Sequence, residues 1–583
     1  MPSPIRSCRN DRSRGPALGA AALTLLIGLA GPALAQGNRP VRLLPPPPGT
    51  APAVPDPPAA PAPTPPADES INATPLAPVD PAWVGTLGAP QALPPTMWQG
   101  TSRSVVAAAL PALGPTTSPV LQDLSRRLLL SNAAAPAGQD PPNQPGLAAL
   151  RVERLAALGE VEGAIAVIDA LPATLRDESM ARRRIELAFA KNDGEDACRS
   201  VQTNIARYQS VWWDRALIAC QALAGDREKA ALGISLLHEQ KAPADPTFDA
   251  LVAAVGGRAL KLDKLAQPTP MLVSLLAAAK ATQPRDPLGE ADPASLRAWA
   301  TNESVPALQR LAAAERAAAL GAITPEALGD LYAKASFTPE ELGQAIKQGK
   351  APANPRDRAL LYQVARSDPA TGVRTAALAA LLDDARKRGV FIVTARALAP
   401  IVLELQPGEE LASFAPEAMR ALYAASRPDA AAAWLPVADP ASAPTLTLLG
   451  QLANGGTLAP AFFDTAIAAL AERDPHQATL VLAVFAPIIG LDVRPPVAEW
   501  GRLADKPHDG VWPSAAVWLD QRQAAAKKRL GETVLMTLLI ARSGERLSLE
   551  PVVLADAVAG LAAVGLESEA RALALEAALA AGI

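Results

Sequence analysis

The sequence predicts an all-α chain built as an α-solenoid of helical hairpins, and three observations carry that prediction. Three blocks align without gaps: Leu158-Gly159-Glu160-Val161-Glu162-Gly163-Ala164, Lys191-Asn192-Asp193-Gly194-Glu195-Asp196-Ala197 and Ala224-Gly225-Asp226-Arg227-Glu228-Lys229-Ala230. Ala164, Ala197 and Ala230 stand 33 residues apart, as do Ile168, Val201 and Ile234. A turn between two apolar-periodic segments at this spacing marks a stacked hairpin repeat. Finally, apolar residues make up 49% of the chain but aromatics only 4%. The apolar share is rich in alanine, which favours helix and close helix packing over sheet.

At 583 residues the chain exceeds one compact core, so several domains or one long array are expected. Composition divides it. Residues 1–35 read as a secretory signal: Arg6, Arg9, Arg12 and Arg14 precede an apolar run, and Ala33-Leu34-Ala35 supplies small-residue cleavage chemistry before Gln36. The rival reading is an uncleaved N-terminal anchor. No cysteine follows the cleavage site closely, which argues against a lipoprotein, and the mature chain is expected in the periplasm with no integral span. Residues 36–100 form a disordered Pro/Ala-rich linker, with runs such as Pro45-Pro46-Pro47-Pro48 that exclude helix and central strand. Repeats are expected over 101–265, and further helical-repeat structure over 266–583.

Helix starts and periodicity support the body in order. Ser118–Leu130 places Leu121, Leu124, Leu128 and Leu129 on one side. Within each of the three repeats, a Gly or Asn with an acidic neighbour separates helix A from a helix B that opens on acidic residues, as the helix dipole favours. Thr324-Pro325-Glu326 and Thr338-Pro339-Glu340-Glu341 read as successive helix starts, the second with a complete capping box. Helical periodicity continues through Arg356–Arg366, Thr371–Lys387, Thr394–Leu405, Pro416–Ser426 and Asp464–Glu472. Echoes of the repeat turn occur at Arg427-Pro428-Asp429-Ala430, Asp474-Pro475-His476-Gln477-Ala478 and Gly565-Leu566-Glu567-Ser568-Glu569-Ala570.

The three-repeat array resembles the tetratricopeptide family. Its Gly-Asp/Glu-x-Glu-x-Ala block stands at that family's inter-helix turn, and Ile168, Val201 and Ile234 stand where the family has a large apolar residue in helix B. It departs from the family in helix A, which lacks the Trp…Leu-Gly…Tyr pattern in register. The resemblance implies a superhelix with a concave binding groove lined by helix A. The whole layout is also similar to a group of alphaproteobacterial envelope proteins, some labelled antifreeze glycopeptide polyprotein. That label carries no function here, because ice binding needs a regular flat face that irregular hairpins do not supply.

Chemistry is sparse. The net charge of −4 and pI near 5.7 argue against a general nucleic-acid binder and leave room for a locally basic groove. Cys8 leaves with the signal, so Cys198 and Cys220 remain as a pair in an oxidising compartment. Antiparallel helices set them level, which makes a disulfide the expected outcome and two buried thiols the alternative. His238, His476 and His508 lack metal-ligand spacing, so no metal site is expected. Gly343–Lys350 fails as a phosphate loop, having one residue too many and no following Ser or Thr. No serine nucleophile motif occurs. Glu178-Ser179, Glu303-Ser304, Glu567-Ser568 and Glu69-Ser70 match the catalytic dipeptide of soluble lytic transglycosylases without its surrounding motif. No catalytic residue, metal or cofactor is therefore assigned.

What remains is surface. Arg182, Arg183 and Arg184 form a basic knot on helix A of the second repeat, followed in the third by Trp212, Trp213 and Arg215. Arg and Trp are enriched where interfaces concentrate their binding energy. Arg182, Arg183, Trp212, Trp213 and Arg215 are the partner-binding candidates, with a buried Trp and a solvated arginine face as the plainer alternative. The expected function is a non-enzymatic periplasmic scaffold or adaptor that binds a protein or peptide partner in envelope assembly or maintenance. A peptidoglycan-associated enzyme or enzyme activator is the second reading.

Overall fold

Alanine-rich periodicity and regular capping produce helix after helix in the computed structural model, with no strand among the described residues. These are residues 80–583 without 143–144, 261, 263–264, 280–287, 346–350, 456–459, 486–487, 489–511 and 542–548. The signal and most of the proline-rich segment lie outside them, as does His508.

The helices run α1 Arg103–Ala109, α2 Pro119–Leu130, α3 Leu147–Ala157, α4 Val161–Ala170, α5 Glu178–Ala190, α6 Gly194–Asn204, α7 Val211–Leu223, α8 Arg227–Glu239 and α9 Pro246–Val255. They continue with α10 Pro270–Ala278, α11 Pro293–Ala300, α12 Ala307–Ala319, α13 Pro325–Lys334, α14 Pro339–Gln344, α15 Pro355–Ser367, α16 Thr371–Arg388, α17 Phe391–Leu403, α18 Ala415–Ala424, α19 Pro428–Ala432 and α20 Ala443–Asn454. The last six are α21 Pro460–Arg473, α22 Pro475–Leu480, α23 Ala515–Ala526, α24 Leu530–Ala541, α25 Pro551–Ala563 and α26 Glu567–Ala581. No helix among the described residues is long and apolar enough to cross a membrane.

The repeat turn is a physical unit. Gly159, Asn192 and Gly225 all have positive φ, between 60° and 86°. Each donates its N–H to a carbonyl three residues back, and the next residue donates to one five back. This double bond satisfies the orphan carbonyls of helix A and reverses the chain. The same pair of bonds recurs at Lys241, Gly257, Gly321, Gly389, Ser426, Lys528 and Gly565. Behind the turn, Ala164, Ala197 and Ala230 are buried, which lets helices A and B approach closely. Ile168 and Val201 are buried one helical turn further on.

Sequential helices pack on one another, but the array does not stay one-dimensional. The first helices meet the last: α2 packs against α24 and α26. Arg127 of α2 pairs with Glu569 of α26, and the Gly531 N–H donates to the Met97 carbonyl at 2.8 Å. The Ile583 carbonyl accepts from Arg420 Nε of α18 at 2.9 Å. An array that touches only its neighbours buries one stripe per helix. Here α26 is buried by α2, α17, α18, α20 and α25 together.

Packing reaches across two positions that composition marks. Ala82, Leu87, Leu93 and Met97 are buried, so the folded body takes in residues that composition assigns to the 36–100 linker. Ala82 is held by Arg151, a buried arginine of α3 that also donates to the Leu129 and Ser131 carbonyls. Burial lowers its pKa to about 10. Across position 265, α10 and α11 pack back on the helices of the repeats.

Candidate functional site

Of the basic and aromatic residues singled out on α5 and α7, Arg182, Trp212 and Trp213 come together, and Arg183, Arg184 and Arg215 are engaged elsewhere. Asp177 caps α5, its side chain accepting from the Met180 N–H at 3.0 Å. Trp213 of α7 is 1% exposed and forms core. Its Nε1 donates to Glu178 at 3.1 Å, and its ring stacks on Tyr208 at 5.3 Å. It is therefore a packing residue, and Glu178 serves as its anchor and as the acceptor for Ser210 Oγ. Arg183 holds Glu153 of α3 through two nitrogens, at 2.5 and 3.1 Å. Arg184 is shared between Asp169 of α4 and Asp196 of α6. Arg215 donates to the Pro243 carbonyl and lies 3.7 Å from Asp245. These arginines tie successive repeats together.

Arg182 differs. Its guanidinium rests over the ring of Trp212, 4.9 Å from the centroid. Trp212 in turn sits edge-on to Trp213 at 5.0 Å. The stack is partly exposed, and the core fixes it from beneath. A guanidinium resting over an aromatic ring can still donate its N–H groups to a carboxylate.

The helix-A face expected to line an open groove is occupied by the chain itself. Helix α10 lies on α5, α7 and α9, and α11 lies on α3 and α5. Met271, Val273, Leu275 and Leu276 of α10 are buried there, as is Trp299 of α11. Asn192, at the turn of the second repeat, donates to the Ala298 carbonyl at 3.1 Å and to Thr301 at 2.9 Å. Nothing in the local pattern of the repeats announces this cover, since α10 reads as one more short apolar helix.

Cys198 of α6 and Cys220 of α7 are bonded in the structure, with Cα atoms 5.5 Å apart. His238 meets Asp249 at 2.9 Å on an exposed edge. Among the described residues no group of His, Cys, Asp and Glu could hold a metal ion.

Two carboxyl groups escaped the sequence reading. Glu186 of α5 accepts the Met271 N–H at 3.1 Å, and desolvation pushes its pKa to about 7. Glu576 of α26 accepts the Val120 N–H at 3.0 Å and the Ser118 hydroxyl, and burial pushes it to about 7 as well. Glu576 borders a cavity of about 250 Å³ at the seam of the chain's two ends, with Arg386, Phe391, Asp474, Gln477 and Leu554. In an alanine-rich helix such a glutamate reads as solvated, and only the Ser-Pro and Thr-Pro helix starts that it serves are visible locally. No family model matches the chain, and no curated protein matches it either.

Proposed function

We propose that the protein is a non-enzymatic, tetratricopeptide-like scaffold or adaptor of the periplasm that binds a protein or peptide partner in cell-envelope assembly or maintenance. The observation that carries this reading is the Arg182–Trp212 stack. In the run Arg182–Arg184, Arg183 and Arg184 are engaged by carboxylates of the chain, whereas Arg182 is set on an aromatic platform. That arrangement suits an acidic side chain or a peptide C-terminus. The packing of α10 and α11 on the helix-A side supports a contact at this half-buried edge over one along a continuous groove. Export to an oxidising compartment is supported by the basic and apolar N-terminus with its Ala33-Leu34-Ala35 site and by the Cys198–Cys220 pair.

The test is native-envelope crosslinking with mass spectrometry, repeated with Arg182→Glu and Trp212→Ala. A specific partner lost in both variants, with folding retained, supports the reading. An unchanged set of crosslinked proteins overturns it.

The second reading, a peptidoglycan-associated enzyme or activator, draws on Glu576, which lines the seam cavity with Asp474, because a carboxyl raised toward 7 can serve as a general acid. Release of muropeptides by the purified protein, abolished by Glu576→Gln, would favour it.

A further inference from the structure

Two glycines of α20 make room for two donors that the fold leaves unmet. Gly450 lies inside the helix, where glycine costs stability relative to alanine. A Cβ there would stand 2.8 Å from the Tyr423 hydroxyl of α18. Gly455 ends α20 with a φ of 73°, and the Arg571 guanidinium of α26 rests against it, so that a Cβ there would collide with Nη1. Tyr423 is only 4% exposed, and burial pushes its pKa up to about 12, which keeps the hydroxyl a donor. Among the described residues, neither this hydroxyl nor the Arg571 guanidinium meets a hydrogen-bond or ion-pair partner. Leaving a buried donor unmet is costly, and native folds seldom do so.

Both groups border one cleft of about 560 Å³, where α18, α20 and α26 pack together. Pro428, Leu452 and Leu575 give the cleft an apolar wall. Helix α26 starts without a side-chain cap, and its first turn borders the cleft through Glu567 and Ser568. The dipole of this 15-residue helix adds positive potential there.

We propose that this cleft binds the C-terminal end of an apolar peptide, with Arg571 holding the carboxylate and the Tyr423 hydroxyl donating to a main-chain carbonyl upstream of it. The spacing favours a peptide over a compact anion. Gly450 and Gly455 stand five residues apart, which at 1.5 Å per residue sets the two donors roughly 7 Å apart along the axis of α20. A single phosphate is too small to reach both. An extended peptide, at roughly 3.3 Å per residue, presents a second acceptor at that distance. The proline and leucine wall suits an apolar side chain beside the carboxylate. The cleft shares no residue with the Arg182–Trp212 stack, so it stands or falls independently of the proposed function.

Two negative features oppose a carboxylate here. Glu567 is the single acid among the described residues of the wall; it is exposed and, although one turn before Arg571, makes no ion pair with it. The carbonyl end of α20 beside Gly455 attracts the guanidinium without bonding it. A simple counter-charge to that helix end would need neither the cleft nor the unmet hydroxyl of Tyr423.

The experiment titrates the full-length protein by calorimetry with acetyl-Ala-Ala-Leu bearing a free carboxylate, with the same peptide amidated, and with inorganic phosphate. The free acid should bind saturably with a Kd at or below about 1 mM, and the amide and phosphate at least about tenfold more weakly. Arg571→Gln and Tyr423→Phe should each weaken the free acid by about tenfold while leaving the urea midpoint nearly in place, because the fold itself uses neither donor. Glu567→Gln should tighten binding by removing the competing charge. No saturable binding, equal binding of acid and amide, phosphate binding as tight as the peptide, or unchanged affinity in both Arg571→Gln and Tyr423→Phe overturns the proposal. A markedly lowered urea midpoint in both variants overturns it as well, since the two donors would then serve the fold.

Discussion

The first and third repeats carry the same turn but occupy different surroundings. Gly159 and Gly225 have nearly the same φ, 80° and 86°, and the same pair of turn bonds. A Cβ on Gly159 would lie 2.7 Å from Ala322 Cβ and 2.9 Å from Pro293 Cβ, whereas a Cβ on Gly225 would meet nothing within 4 Å. Beyond the first turn, Val161, Ala164, Val167 and Ile168 of α4 are all buried. Beyond the third, Leu232 and Leu236 of α8 are 60% and 45% exposed. The repeat signature thus specifies a hairpin, while the chain that folds back around it decides which hairpin becomes interior.

Substitutions sharpen this contrast, and the largest effect belongs to the side chain that joins the second repeat to the third. Trp213→Ala should cost about 3–5 kcal/mol, since it removes a buried ring and leaves Glu178 short of a donor; chemical denaturation reads this directly. Replacing Cys198 and Cys220 by alanine should cost about 3 kcal/mol through the 22-residue separation they bridge, observed as a lower unfolding midpoint matched by wild type under reductant. Gly225→Ala should cost about 1 kcal/mol for placing a Cβ at positive φ. Gly159→Ala should cost at least twice as much, because Ala322 and Pro293 must also move; equal losses at the two glycines would break the contrast. Leu232→Ser on the open face of α8 should stay within about 0.5 kcal/mol by the same assay.

Local structure was legible because it is written locally. The turn glycines, the acidic openings of the B helices and the Thr338–Glu341 capping box all appear where their sequence chemistry places them. Ala164, Ala197 and Ala230 are buried as their spacing implies. Cys198 and Cys220 could be brought level by register alone. Tertiary choices were not legible. Trp213 and Trp212 are neighbours in sequence, yet one is core and the other a platform, and only the packing of α7 decides which. Arg183 and Arg184 read as free charge because Glu153, Asp169 and Asp196 come from other helices. Glu186 and Glu576 were invisible for the same reason: the helix starts they bond are remote in sequence. Arg151 is the extreme case, a buried cation that donates to backbone carbonyls, which have no side-chain signature.

Helix α26 packs on α2 near the other end of the described chain, and Arg127 and Glu569 report on this most directly. Both side chains are 15% exposed and 442 residues apart in sequence. A double-mutant cycle with Arg127→Ala and Glu569→Ala measures whether they touch. Closure predicts a coupling energy of about 1 kcal/mol or more, as found for residues in contact. Losses that add to within about 0.5 kcal/mol would contradict it, leaving an array whose two ends fold apart.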